Sequence, residues 1–107
     1  MKLTDKLSDA VQRSLLSTSP DVVISTPARA WYNVKSNSSA LDVSKLSHLV
    51  LDEADRMLDM GFIHDVKKVI ARLPEQRQTL LFSATMPQEI AELSKTILVN
   101  PVRVEVT

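Results

Sequence analysis

The chain has 107 residues, 44% of them hydrophobic, with 13 basic and 13 acidic side chains, no cysteine and a single glycine. That size suits one domain with a modest core. Zero formal net charge excludes general electrostatic capture of nucleic acid, and the lack of cysteine excludes disulfides and thiol chemistry. Gly61 alone cannot build a phosphate loop, since G-x-x-x-x-G-K-[ST] needs two glycines and G-x-G-x-x-G needs three. No apolar run is long enough for a membrane span.

Leu3, Leu7, Val11 and Leu15 recur at four-residue steps and predict an amphipathic helix over residues 3–16, with Thr4 as its cap. Residues 17–20 (Ser-Thr-Ser-Pro) end it. The β-branched run Asp21–Ser25 predicts a buried strand. Thr26-Pro27 then opens a helix through Trp31 and Val34, and residues 37–39 form a loop. Leu46–Leu51 predicts a second strand ending in Asp52-Glu53-Ala54-Asp55. The stripe Phe62, Val66, Val69, Ile70 and Leu73 predicts a helix closed by Pro74. Thr79–Ser83 reads as a third strand, and Thr85 with Gln88 as a capping box for a helix carrying Ile90, Leu93 and Ile97. Asn100-Pro101 breaks that helix, and Val102, Val104 and Val106 alternate as a final strand. Strands alternating with helices predict an α/β fold: a mostly parallel sheet of about four strands, with right-handed crossovers.

Three stretches offer chemistry. Asp52, Glu53 and Asp55 crowd the carboxyl end of an apolar strand, where open α/β sheets bind ligands. A Mg²⁺ ion held through one or two carboxylates and its own waters would relieve their repulsion, with the adjacent Glu suited to an attacking water. An acidic helix N-terminus explains the same residues equally well. Ser83 and Thr85 can bridge neighbouring groups or simply cap the next helix. Thr26 and Arg29 sit at a helix N-terminus, a place that holds phosphate or is merely capped.

Taken together, Thr26-Pro27-x-Arg29, Asp52-Glu53-Ala54-Asp55 and Ser83-Ala84-Thr85 occur in the order and approximate spacing of the DEAD-box RNA helicases. Flanking residues 56–62 and 78–82 support the resemblance, which covers nearly the whole chain. It implies the later part of a first RecA-like domain, a partial P-loop NTPase fold. By resemblance, Asp52 is the Mg²⁺ carboxylate, acting through water, and Glu53 is the catalytic residue that positions the hydrolytic water. Asp55, Ser83 and Thr85 would couple hydrolysis to strand separation, and Thr26 and Arg29 would touch RNA. ATP, Mg²⁺ and RNA are the implied cofactors and partner, and the implied setting is intracellular, cytoplasmic or nucleolar. Family members usually carry glycine where this chain has Ala28.

The family's P-loop, its adenine-reading segment, its first RNA-contacting segment and its second RecA-like domain have no counterpart in these residues. ATP hydrolysis and unwinding are therefore not expected of these residues alone. The first half resembles a eukaryotic nucleolar subfamily and the second half the common bacterial type, which suggests a chimera joined near residues 49–55. With the intervening strands lacking, the helices are expected largely on one face of a doubly apolar sheet. The other face would be an exposed apolar patch, so a homo-oligomer through sheet-face burial or strand exchange is expected. The alternative to an enzyme fragment is thus a non-catalytic, self-associating α/β scaffold.

Among single residues, Trp31 and Tyr32 offer base stacking or core packing. His48 and His64 lack partners at metal-ligand spacing, and Lys67, Lys68 and Arg72 read as a solvated basic face.

Overall fold

A computed structural model describes residues 1–3, 8–18, 20–35 and 42–106. The expected cap Thr4, the helical position Leu7 and the loop at 37–39 lie outside the described residues. In chain order the elements are β1 (Lys2–Leu3), α1 (Asp9–Leu16), β2 (Ile24–Ser25), α2 (Pro27–Val34), β3 (His48–Leu51), α3 (Ala54–Asp59), α4 (Ile63–Ile70), β4 (Gln78–Leu81) and α5 (Gln88–Ile97).

The α/β expectation holds, with parallel strands throughout. The four strands form two parallel pairs, β1 with β2 and β3 with β4. In the second pair, His48, Leu49, Val50 and Leu51 stand opposite Gln78, Thr79, Leu80 and Leu81. Side chains alternate across a strand. Leu49 and Leu51 therefore turn inward with Leu81, onto Met57 of α3, Ile63, Val66 and Ile70 of α4, and Leu93 and Ile97 of α5. Leu51, Val66, Leu93 and Ile97 are buried, and Ile90 of α5 is completely inaccessible. On the opposite face, Val50 is 55% exposed and Phe82 53%. These helices therefore lie on one side of the β3–β4 ladder, as the crossover argument requires.

Three predicted elements change. The strand expected to be buried over residues 21–25 shortens to Ile24–Ser25, and Val22 and Ile24 are 65% and 61% exposed, because among the described residues its ladder pairs it only with β1. The helix expected from residue 3 begins, among the described residues, at Asp9, and Leu3 belongs to β1 instead. Lys2 and Leu3 align with Ile24 and Ser25, and that ladder satisfies their backbone groups in a way no helical periodicity reveals. The strand expected at residues 102–106 makes no ladder, and Val102, Val104 and Val106 stay exposed. Alternation gives a segment the capacity for pairing but not a partner.

The α1–α2 pair holds a buried polar contact. Gln12 and Asn33 are 1% and 5% exposed, and the Asn33 side-chain amide donates to Gln12 Oε1 at 3.3 Å and to the Arg29 carbonyl at 2.9 Å. These bonds fix the α1 approach to the α2 stretch that carries Arg29. Between α3 and α4, Gly61 takes φ +77°, a backbone that side chains rarely adopt, so the only glycine is a turn residue.

Candidate functional site

The ends of β3 and β4 are stitched together beyond their formal limits. Phe82 N–H donates to the Leu51 carbonyl at 2.8 Å, and Ala54 N–H donates to the Phe82 carbonyl at 3.0 Å. This continuation sets residues 52–55 beside residues 83–85. Between them Glu53 adopts φ 55°, ψ 50°, a left-handed backbone that turns the strand directly into α3. Such a conformation is uncommon for a residue with a side chain.

The three carboxylates then part company. Asp55 reaches across to the second strand end: its Oδ2 accepts from Thr85 N–H at 3.1 Å and from Thr85 Oγ1 at 2.9 Å. The Asp55 N–H donates to Ser83 Oγ at 3.1 Å, and Ser83 Oγ donates to the Thr85 carbonyl at 2.6 Å. The Thr85 hydroxyl, opposed by partial desolvation and helped by further hydrogen bonds, holds the Asp55 carboxyl below the usual carboxylate range. Asp55, Ser83 and Thr85, three residues singled out by sequence, thus form one hydrogen-bonded unit. Thr85 is not the head of a capping box, since α5 starts after Pro87 with no side-chain cap. Its hydroxyl is committed to Asp55.

Asp52 and Glu53 remain exposed at the carboxyl end of β3. Glu53 Oε2 accepts from Arg56 at 3.2 Å, an ion pair with both side chains largely in solvent. The Glu53-x-x-Arg56 spacing on a helix start was the available signal for this pair. Among the described residues, no group of three His, Cys, Asp or Glu side chains is placed to hold a metal. His48 and His64 are both exposed, and His48 Nδ1 meets Ser47 Oγ at 2.8 Å.

Thr26 caps α2 as expected, accepting from Arg29 N–H at 3.4 Å, with Pro27 in the first turn. Arg29 Cζ lies 5.2 Å and Lys35 Nζ 5.4 Å from the centre of the exposed Tyr32 ring. Trp31 faces α4 and the turn that follows it, where Lys68 Nζ and Arg72 Cζ lie 5.6 and 5.5 Å from its ring. The basic residues of α4 and its following turn are therefore in part a clamp on Trp31. Sequence periodicity pointed to a solvated face because the partner helix lies some 40 residues away in the chain. α2 packs against α4, and α4 in turn packs its apolar side on Leu51 and Leu81 of the β3–β4 ladder.

The sequence matches the DEAD/DEAH box helicase family model over residues 2–93. The chain belongs to that family. Among DEAD/DEAH box relatives, the ATP-dependent RNA helicase DBP9 of Pyricularia oryzae is 55% identical over 94% of this chain, which spans 16% of that relative's length. The ATP-dependent RNA helicase DeaD of Escherichia coli is 47% identical over 90% of the chain and 15% of its own length. The crystal structure of a DEAD box protein from the hyperthermophile Methanococcus jannaschii superposes with a TM-score of 0.85 at 35% identity, covering 92% of this chain and 26% of that one. The partial RecA-like α/β architecture expected of the family is thus the one observed. No helix among the described residues is long and apolar enough to cross a membrane.

Proposed function

We propose that these residues are the later part of the first RecA-like domain of a DEAD-box ATP-dependent RNA helicase, carrying its metal-facing carboxylate and its coupling segment. The observation that carries this reading is the division of labour among the carboxylates. Asp55 is tied to Ser83 and Thr85, while Asp52 and Glu53 stay open to solvent on the neighbouring strand end. Asp52 would hold Mg²⁺ through water, and Glu53 would orient the water that attacks the terminal phosphate. One exposed carboxylate fits Mg²⁺, which keeps most of its waters, better than a metal that demands a full protein ligand set. Bound Mg²⁺–ATP supplies the phosphoryl chemistry itself.

Thr26 and Arg29 would meet the RNA backbone from the start of α2, with a hydroxyl, helix N–H groups and a cation together. Asp55, Ser83 and Thr85 would transmit changes between the nucleotide end of β3 and the β4–α5 connection. The setting that goes with this reading is intracellular, cytoplasmic or nucleolar. The single glycine is engaged between α3 and α4, so these residues contain no phosphate-cradling loop of their own. On this reading they do not hydrolyse ATP alone. The test is Mg²⁺-dependent ATP hydrolysis with and without RNA, for the chain and its Glu53→Gln variant. Equal background rates are expected, and an RNA-stimulated rate lost in the variant would overturn the claim of inactivity.

A second reading is favoured by one observation, the open apolar face of the β3–β4 ladder with Val50 and Phe82 both more than half exposed. Such a face drives association. On that reading the chain is a non-catalytic α/β scaffold that forms homo-oligomers.

A further inference from the structure

Trp31 stands in the middle of α2 and is held from outside its own helix. α2 packs against α4, and Trp31 meets Lys68 of α4 and Arg72 of the turn that follows, their cations 5.6 and 5.5 Å from its ring. Lys68 and Arg72 are four positions apart, a spacing at which like charges on a helix repel. The electron-rich indole ring offsets that repulsion by attracting both. The two cations therefore serve a contact between helices.

The other side of α2 is held as well. Asn33 is buried, and its side-chain amide donates to Gln12 Oε1 of α1 at 3.3 Å and to the Arg29 carbonyl at 2.9 Å. The Arg29 N–H donates to Thr26 Oγ1 at 3.4 Å. Each residue of an α-helix turns the chain by about 100°, so Trp31 and Arg29, two positions apart, stand on nearly opposite sides of α2. Holding Trp31 against α4 thus fixes the rotation of α2 about its axis, and with it the direction in which Thr26 and Arg29 are presented. Phosphate recognition depends on that direction, because a guanidinium and helix N–H groups have to converge on one anion.

We propose that Trp31, clamped by Lys68 and Arg72, is the positioning residue that sets the first turn of α2 against an RNA backbone. Lys68 and Arg72 act through the ring and do not touch phosphate themselves. The inference rests on the RNA reading of Thr26 and Arg29 above and adds the device that orients them.

The test is binding of a fluorescein-labelled oligouridylate, followed by anisotropy across a salt series, for the intact chain and its variants. Circular dichroism checks that each is folded. A side chain that neutralises a phosphate adds to the salt dependence of binding, and its loss lowers the slope of log K against log salt by about 0.7 on a single strand. Arg29→Gln should lower both affinity and slope. Lys68→Ala and Arg72→Ala should each weaken binding about two- to five-fold, the worth of one cation–π contact, at unchanged slope. Trp31→Leu should weaken it about ten-fold, again at unchanged slope. Arg72→Lys keeps a cation for the ring and should bind as the intact chain does. Lys67→Ala removes a charge from the same helix outside the Trp31 contact and should change neither quantity. Arg72 is exposed, so its variants decide the matter even where Trp31→Leu does not fold. An intact chain that binds no oligouridylate, or an Arg29→Gln variant with unchanged affinity and slope, would overturn the RNA reading and the clamp with it. If Arg29→Gln behaves as expected but Trp31→Leu and Arg72→Ala bind like the intact chain, the clamp alone is overturned. A lower slope in Lys68→Ala or Arg72→Ala would make those residues phosphate contacts and end their positioning role.

Discussion

Asp55 and Thr85 are 30 positions apart, yet one carboxylate oxygen of Asp55 accepts both the backbone and the side-chain proton of Thr85, at 3.1 and 2.9 Å. This double contact pins the β4–α5 connection to the start of α3 and keeps one of three crowded carboxylates out of the open site. Hydrogen bonds to the ionised form of a group are stronger than neutral ones. The pair should therefore behave as a unit. Asp55→Ala and Thr85→Val are each expected to lower Tm, Thr85→Ser much less, and the double variant little more than the worse single one. A double-mutant cycle in thermal unfolding checks this.

Acid should release the same latch. The Thr85 hydroxyl, foremost among its hydrogen bonds, holds the Asp55 carboxyl below its ordinary value in the folded state. A group with a lowered folded pKa contributes stability that is complete above its unfolded pKa and disappears as pH falls through the folded one. Asp42, whose carboxyl is lowered chiefly by Ser44, acts in the same direction. Unfolding midpoints should thus fall as pH drops below the usual carboxylate range. The fall should be shallower in Asp55→Ala, as a series of melting curves at stepped pH will show.

Most of what was legible in the sequence was local. Thr26 capping α2 with Pro27 behind it involves residues within one turn of each other, and so does the single glycine between α3 and α4. The apolar faces of α4 and α5 were equally visible as helical stripes, because burial imposes the period directly. What failed needed a distant partner. Leu3 fits a helical stripe, yet it is drawn into β1 by Ser25; Thr85 fits a capping box, yet its hydroxyl is taken by Asp55. The valines at 102, 104 and 106 have strand periodicity but no ladder within their own fold. The site motifs and the separate roles of Asp52 and Asp55 come from the resemblance, and the geometry adds the hydrogen bonds that tie Asp55 to Ser83 and Thr85.

Core packing gives a second stability test. Ile90 is completely inaccessible on α5, and the helix holds Leu93 and Ile97 against β3 and β4. Ile90→Ala removes buried methyl groups and leaves a cavity, which costs about 2–5 kcal/mol. In a small domain that loss is a large fraction of total stability. Urea unfolding should show an earlier midpoint with an unchanged slope, whereas Glu75→Ala on the exposed surface should leave the midpoint in place.

Trp31 supplies an internal probe of the α2–α4 contact, since it is the only tryptophan. Lys68 and Arg72 both lie over its ring, and each cation–π contact is worth about 0.5–1 kcal/mol. Lys68→Ala and Arg72→Ala should shift the Trp31 emission and each lower stability by about that amount. Replacing Lys67, which does not share this contact, should leave the emission spectrum unchanged.

The central claim is that Asp52, and not Asp55, is the carboxylate open to a divalent cation at the end of β3. A Mg²⁺ titration followed by backbone amide shifts tests it directly, on the intact chain and on Asp52→Asn. The account predicts saturable shifts centred on residues 52 and 53, absent in Asp52→Asn, with the Thr85 amide unmoved in both. Saturable shifts that persist in Asp52→Asn, or that centre on Asp55 and Thr85, would contradict it.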